Sequence, residues 1–232
     1  MRKIYIIIPF LIISAILTSG VLPNTGIDGL IGGITIKNPP ALVLSEFIII
    51  SLLLFNNMGK CEDHINGYAK YKLLRHKKRQ ILLNGIYRQT LLFICFLVLS
   101  RIIIFIVVLI VKGEIIAFDF KDTVNYILLL ILVLSFISLV QFYFEIKYSS
   151  PIGLVCAMTY YIFSVLIGGI LAKKGRYKPI LLLIPNYYMK KRYELLVYEF
   201  IKSKWILYII PILLIITLML LSGKTIQKKD IF

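Results

Sequence analysis

Residues 90–111 read TLLFICFLVLSRIIIFIVVLIV, a long apolar run that holds a single charged residue, Arg101. The hydrocarbon core of a bilayer is about 30 Å thick, so a helix that rises about 1.5 Å per residue needs about 20 apolar residues to cross it. The run has this length and is too long for a buried strand. It therefore predicts a helix that crosses a membrane.

Similar apolar runs recur along the chain. The predicted spans, with approximate bounds, are 4–22, 41–56, 90–111, 124–144, 151–171 and 206–222. The 232 residues are 59% hydrophobic, whereas a soluble domain is about 45–50% apolar. We therefore expect an all-α integral membrane protein, with about six transmembrane helices and short loops, that forms one transmembrane domain over residues 1–232. These features argue against a soluble enzyme.

The first apolar run follows Met1-Arg2-Lys3, as the core of a signal peptide follows its basic residues. The run 4–22 is longer than a usual signal-peptide core and lacks an Ala-x-Ala cleavage site. We interpret it as an uncleaved first span, with cleavage as the alternative.

The chain carries 27 Lys and Arg residues against 11 Asp and Glu residues, a net charge of +16. Basic loops that stay in the cytoplasm and attract anionic lipid account for this charge, and no motif indicates nucleic-acid binding. The loop 57–89, between spans two and three, is strongly basic. Its bases are Lys60, Lys70, Lys72, Arg75, Lys77, Lys78, Arg79 and Arg88. We therefore expect this basic loop and the N terminus in the cytoplasm.

Residues 172–205 are also basic, yet six spans place them outside the cell. One solution makes 151–171 a re-entrant segment, which gives five spans and an external C terminus. Another keeps six spans and makes 181–189 a short re-entrant piece on the external side, next to a cationic surface helix. We favour six spans with both termini inside, because later loops follow helices that are already inserted.

Arg101 is the charged residue that says most about the interior of the protein. It lies near the middle of its span, where a charge costs about 2.5–3.5 kcal/mol on insertion scales and is expected to face protein or water. Glu46 lies about five residues into the second span, within reach of an arginine side chain that extends toward the surface. We predict a Glu46–Arg101 pair. It is either a contact in a substrate path or switching interface, or a structural ion pair that fixes helix register.

Further segments are candidates for contacts. Residues 68–88 carry a broken apolar stripe among bases, which predicts an interfacial helix, a helix for a cytoplasmic partner, or a solvated basic loop. Gly168 and Gly169 let helices approach closely and predict a helix contact. Gln141 and Glu145, near the inner end of the fourth span, are expected to mark the headgroup boundary.

No motif indicates catalysis or a cofactor. The sequence contains no Walker-type loop, glycine-rich dinucleotide turn, Ser-His-Asp arrangement or HExxH motif. The histidines, His64 and His76, both lie in the basic loop, so an intramembrane hydrolase that needs histidine lacks its parts. Cys61 and His64 have a ligand-like spacing without a second pair to complete a metal site. We therefore expect no catalytic residues, no metal and no cofactor.

The layout resembles the small permease subunits of ATP-binding-cassette exporters. It is most similar to short bacterial permeases that accompany the ATPases of bacteriocin or peptide-antibiotic self-protection. The residues that carry the resemblance are Tyr71–Arg79, YKLLRHKKR, which lead through 81–83 into the third span. The segment 183–189, LIPNYYM, is similar to the external re-entrant region of such proteins. The resemblance covers most of the chain.

The resemblance implies a bacterial cell-membrane exporter of a peptide, an antibiotic or a lipid-like substrate. Two permease subunits, alike or different, would form the pathway, and a separate ATPase dimer would contact the basic loop. The residues implied in this contact are Tyr71, Leu74, Arg75, Lys77, Lys78 and Arg79. Many such permeases begin with an amphipathic helix, whereas only Met1-Arg2-Lys3 precede the first span here. The alternative is therefore a non-transporting accessory or immunity subunit of a larger membrane complex.

Overall fold

The computed structural model describes residues 2–21, 30, 32–35, 39–66, 79–113, 120–198 and 205–228. The side chains of residues 2–6, 64–66, 79–82 and 228 lie outside this description. The described residues form helices and turns, with no β-strand among them. This confirms the prediction of an all-α protein.

The long helices coincide with the apolar runs. The α-helices of the described ranges are α1 (Arg2–Val21), α2 (Pro40–Asn57), α3 (Lys60–Asn66), α4 (Arg79–Lys112), α5 (Phe120–Lys147), α6 (Ser150–Lys173), α7 (Lys190–Leu196) and α8 (Ile206–Lys228). Two 3-10 turns, Lys178–Leu182 and Ile184–Asn186, lie between α6 and α7. Each predicted span falls on one long helix, apart from Leu22, which lies outside the described residues. Helix α4 begins well before the predicted start of its span near residue 90.

Five helical segments of the described chain are long and apolar enough to cross a membrane. They are Pro40–Asp63, Leu83–Lys112, Phe120–Lys147, Ser150–Lys173 and Ile206–Gln227. The apolar segment Ile7–Val21 of α1 is shorter. With this further helix, the architecture is that of an integral membrane protein with about six spans.

The outward faces of the helices are apolar, as lipid contact requires. On α4, large apolar side chains recur every three or four residues and are exposed. They are Leu92, Phe96, Leu99, Ile103, Val107 and Ile110. In water, a stripe of this size would be an interaction site or an aggregation hazard. Against lipid tails, which are as apolar as leucine, it carries no such penalty.

Contacts at the two ends of the bundle show how the helices run. At one end, which we call the loop end, the Lys190 backbone N–H donates to the Gly32 carbonyl oxygen over 2.9 Å. At the opposite end, which we call the cap end, the Cys61 backbone N–H donates to Glu145 Oε1 over 2.9 Å. The long helices alternate between these ends. Helices α1, α4 and α6 run toward the loop end, and α2, α5 and α8 run away from it.

The segment 178–196 folds into the bundle at the loop end. At its centre, Asn186, Tyr187, Tyr188 and Met189 are each 0% exposed. The helix that follows it, α7, has the sequence KKRYELL and buries Arg192, Tyr193 and Leu196, whereas the sequence indicated a cationic surface helix. The re-entrant, external position of 181–189 stays a prediction. Helix α6 begins beside α3 at the cap end and ends at the loop end. It therefore runs through the bundle and does not fold back.

Candidate functional site

Arg101 lies on the face of α4 opposite the exposed apolar stripe. Leu97, Phe105 and Leu109 share its face and are each at most 1% exposed. Arg101 itself is 2% exposed. Its guanidinium is therefore enclosed by protein and does not extend to the membrane surface.

The Arg101 guanidinium binds the carboxylate of Glu46 on α2. Its Nη1 donates to Glu46 Oε2 over 3.3 Å, and its Nη2 donates to Glu46 Oε1. Glu46 is also buried, with 3% exposure. Two parallel hydrogen bonds make an arginine–carboxylate contact strong and directional, and the opposite charges offset part of the cost of burying each one. The structure thus brings together the two residues of the predicted intramembrane pair.

Two tyrosines extend the ion pair into a network. The Tyr188 hydroxyl donates to Glu46 Oε2 over 3.0 Å, and the Tyr161 hydroxyl lies 3.1 Å from that of Tyr188. Burial raises the pKa of Tyr188 well above its usual value, and the nearby Glu46 carboxylate raises it further, so this hydroxyl stays a neutral donor. We call Glu46, Arg101, Tyr161 and Tyr188 the polar centre. It joins α2, α4, α6 and the segment 178–196.

Gly33 leaves room for the Tyr188 ring in the polar centre. Gly33 has a φ of 61°, a left-handed conformation that favours glycine. A Cβ at this position would lie 2.9 Å from Tyr188 Cε2. The hydrogen bond between Lys190 and Gly32 holds the same two segments together one residue away. The short stretch 32–35 therefore positions Tyr188.

A second buried arginine lies near the polar centre. Arg192, on α7, is 1% exposed, and its Nη1 donates to the Val165 carbonyl oxygen over 2.9 Å and to Asn186 Oδ1. Asn186 Nδ2 in turn donates to the Ser164 carbonyl oxygen over 3.1 Å. Burial lowers the pKa of Arg192 to about 10, which leaves the side chain charged at neutral pH. These bonds attach the segment 178–196 to the backbone of α6.

Gly168, one of the two glycines predicted at a helix contact, faces this attachment. A Cβ on Gly168 would lie 2.3 Å from Asn186 Oδ1, so the Asn186 amide fills the space beside the glycine. Gly169 is buried as well. The element that Gly168 meets is the 3-10 turn Ile184–Asn186, whereas the sequence indicated a helix. The reason is that the segment 178–196 inserts beside α6.

On the other side of Glu46, hydroxyl groups join α1 to α2. Ser45 Oγ lies 2.8 Å from Ser14 Oγ and 2.9 Å from Thr18 Oγ1. All three side chains are buried. Because lipid offers no hydrogen-bond partners, polar side chains in the membrane bond across helices. The polar interior therefore continues from α4 through α2 to α1.

At the cap end, carboxylates bind the starts of two helices. Glu145 Oε1 accepts the backbone N–H groups of Cys61 (2.9 Å) and Glu62 (3.0 Å) at the start of α3. Glu62 Oε2 accepts the backbone N–H of Ser150 (3.1 Å) at the start of α6. Unpaired N–H groups and the helix dipole favour negative charge at these positions. Glu145 and Gln141 are both buried. The sequence predicted that they mark the headgroup boundary, whereas in the structure they make contacts inside the protein.

The predicted partner loop is described only at its edges. The residues Tyr71, Leu74, Arg75, Lys77 and Lys78 lie outside the described residues. Arg79 is the first residue of α4, and its side chain is also outside the description. Leu83 and Ile86 pack against α5 and α8. The described part of 68–88 is therefore the first turns of α4, and it does not form a separate interfacial helix.

What the polar centre supplies is charge and hydrogen bonding between helices. It contains one carboxylate, one guanidinium and two phenols, and its bonds connect segments that are far apart in the chain. Across the described ranges, no three His, Cys, Asp or Glu side chains form a group that could hold a metal ion.

Fold and site together define an all-α integral membrane protein with an ion pair inside its helix bundle. The chain belongs to the DUF2705 family, described as a protein of unknown function, whose family model matches residues 4–232. A search of curated proteins and a search of solved structures each find no significant match.

Proposed function

We propose that the chain is the membrane-spanning permease subunit of an ATP-binding-cassette exporter in a bacterial cell membrane. It would act with a second permease subunit and a separate ATPase, and would move a peptide, an antibiotic or a lipid-like substrate. The cap end and both termini would face the cytoplasm. The observation that carries the proposal is the position of α3 and α4, the helices on either side of residues 67–78. Helix α3 follows α2, which holds Glu46, and α4 holds Arg101, so the two halves of the buried ion pair lie on the helical segments that flank these residues.

The first connection from the loop to the ion pair runs through α3 and α2. Helix α3 follows α2 almost directly, and Glu46 lies roughly 16 Å along α2 from its end at Asn57. Asn57 Nδ2 donates to Ser138 Oγ of α5 over 3.1 Å, and Glu145 of α5 holds the start of α3. These contacts support the proposal because a force on the loop would be passed to packed helices.

The second connection runs along α4. This helix is continuous from Arg79 to Lys112, so Arg101 lies roughly 33 Å from the loop along an unbroken helix. A partner that shifts α4 against α2 would act directly on the contact between Arg101 and Glu46. Long-range coupling of this kind needs an element with two arrangements that both sites influence, and in this proposal α4 is that element.

One atom of the polar centre favours a switching role for the ion pair over a purely structural one. Arg101 Nε is buried and has no hydrogen-bond partner among the described residues. An unsatisfied buried donor costs about 1–3 kcal/mol, so the arrangement seen here does not satisfy Arg101 completely. A second arrangement that gave this donor an acceptor would recover that cost. A partner can shift the populations of two such states.

The proposal is tested by purifying the tagged chain in mild detergent and measuring ATP hydrolysis by the proteins that accompany it. The test variant replaces four loop bases with Glu: Arg75, Lys77, Lys78 and Arg79. The control variant replaces four exposed bases at the loop end with Glu: Lys173, Lys174, Arg176 and Lys178. Because opposite surface charges guide association, the test variant is expected to abolish the stimulation of ATP hydrolysis by the chain. The control variant is expected to leave it unchanged.

The outcome also separates the two functions that the sequence left open. An ATPase that accompanies the chain but hydrolyses ATP equally well with the test variant would remove the coupling role of the loop. If no ATPase accompanies the chain and another membrane protein does, the accessory or immunity subunit replaces the exporter.

A further inference from the structure

A groove of about 370 Å³ lies between α4, α5 and α8 on the outside of the bundle. Its cap end is lined by Tyr87 and Arg88 of α4 and Phe142 of α5. Its deeper part is lined by apolar side chains, among them Ile131 of α5 and Ile215 of α8. Phe142 and Ile131 are roughly 16 Å apart along α5, so the groove runs about halfway through a bilayer core.

The walls of the groove are apolar even where hydroxyl-bearing residues line it. Ser135 Oγ donates to the Ile131 carbonyl oxygen of its own helix over 2.7 Å. Ser138 Oγ accepts a hydrogen bond from Asn57 over 3.1 Å, and Thr90 Oγ1 donates to the Asn57 side-chain oxygen over 3.4 Å. These bonds occupy the hydroxyl groups of Ser135, Ser138 and Thr90, and the Tyr87 hydroxyl is buried. The groove therefore presents hydrocarbon to whatever fills it.

Arg88 places a positive charge at the cap end of the groove. Arg88 is exposed and lies on α4 just before the apolar run that begins near residue 90. At this level of the helix, an arginine meets lipid headgroups. The groove thus combines an apolar channel with a cation at its headgroup end, which matches an amphiphile with an acyl chain and an anionic head.

We propose that this groove binds one phospholipid with an anionic headgroup. Its phosphate group contacts Arg88, and one acyl chain lies along the groove toward Ile131. The groove is an apolar channel about half a bilayer core long with an arginine at its headgroup end. This combination favours an acyl chain with an anionic head over a helix of a partner protein. The lipid site does not depend on the exporter proposal.

The site is tested by native mass spectrometry of the full chain. The chain is titrated in detergent with phosphatidylglycerol or phosphatidylcholine and is then released from the detergent in the spectrometer. A basic residue near an anionic lipid surface contributes binding free energy that corresponds to about a fivefold change in affinity. Arg88→Gln is therefore expected to weaken phosphatidylglycerol binding about fivefold and to weaken phosphatidylcholine binding less, because the positive choline group offsets the phosphate charge of that lipid. The control is Lys147→Gln, an exposed base at the same end that lies over the Tyr148 ring, outside the groove. It should change neither.

A second variant tests the acyl chain separately. Ser135→Phe places a ring in the groove and is expected to reduce the retention of both lipids. Equal losses of phosphatidylglycerol in Arg88→Gln and Lys147→Gln would overturn the site, because they would show a general charge effect. Unchanged binding in Arg88→Gln would overturn it as well. If Ser135→Phe separates an oligomer and leaves lipid retention intact, the groove belongs to a second copy of the chain, and the lipid proposal is wrong.

Discussion

Arg101 and Glu46 lie 55 positions apart in the chain, and the two terminal nitrogens of the Arg101 guanidinium contact different oxygens of the Glu46 carboxylate. The contact joins α4 to α2 inside the bundle, where both side chains are shielded from their surroundings. Removing either partner leaves the other charge buried and uncompensated. The stability of the bundle therefore depends on the two residues together.

Glu46→Gln and Arg101→Met are each expected to lower the free energy of unfolding by about 3–5 kcal/mol, the cost of breaking a buried pair from one side. The double variant should lose clearly less than the sum of the two, because it leaves no isolated charge. Unfolding in detergent, followed for all four proteins, gives the coupling energy. Additive losses would show that the residues do not act as a pair.

Tyr188→Phe is expected to destabilise the protein by about 1.5–3 kcal/mol, because it removes a hydrogen bond to a charged carboxylate. The matched control is Tyr161→Phe, which removes only the bond between the two hydroxyls. Neutral hydrogen bonds in membrane proteins contribute about 0.6 kcal/mol on average. Thermal unfolding of both variants should therefore show the larger loss for Tyr188. Equal losses would mean that Tyr188 does not support the Glu46 carboxylate.

Gly168→Ala is expected to destabilise the protein by about 1–3 kcal/mol, because the new methyl group overlaps the Asn186 amide and must displace it from Arg192. Gly85→Ala is the control. Gly85 is within α4 and has no described residue within 4 Å of an added Cβ, so alanine there should stabilise the helix by up to about 1 kcal/mol. Opposite signs are the predicted result. A neutral Gly168→Ala would show that the segment 178–196 is not packed as described.

Glu145→Ala is expected to loosen α3, since Glu145 binds two backbone N–H groups at the start of that helix. Loss of an N-terminal cap costs about 1–2 kcal/mol. Hydrogen exchange at the amides of Cys61 and Glu62 should therefore speed up about five- to thirtyfold. The control Glu194→Ala removes an exposed carboxylate whose ion pair with Lys191 is on the surface. Unchanged exchange in Glu145→Ala would show that the cap does not hold α3.

Physical rules that depend on local sequence predicted much of the fold. The length of an apolar run decides whether a helix crosses a bilayer, so the long helices could be located from composition alone. Arg101 and Glu46 were found because a charge inside such a run has to meet a partner. Both inferences need only the sequence around the residue and the thickness of the membrane.

Other parts of the site depend on tertiary packing that leaves no local signal. Arg192 and Asn186 lie in a basic, mixed segment, where composition favours exposure, yet both are buried against α6. Glu145 accepts a backbone N–H from Cys61, 84 positions away in the chain, at the start of α3. Helix α4 starts early because Leu83 and Ile86 pack against neighbouring helices, although Asn84, Gly85 and Arg88 interrupt the apolar pattern there. The sequence predicted a helix contact at Gly168 and a headgroup boundary at Glu145, and at neither position did it indicate the partner that the structure shows.

We expect the contact between α2 and α4 to change when an ATPase partner acts on residues 67–78. The distance between two spin labels in the reconstituted complex, measured with and without ATP, reports this change. Exposed positions suited to the labels are Leu44 on α2 and Ile103 on α4, in a variant that lacks Cys61, Cys95 and Cys156. If the ATPase is coupled to this contact, the distance distribution shifts when ATP is added. An identical distribution in both conditions would contradict it.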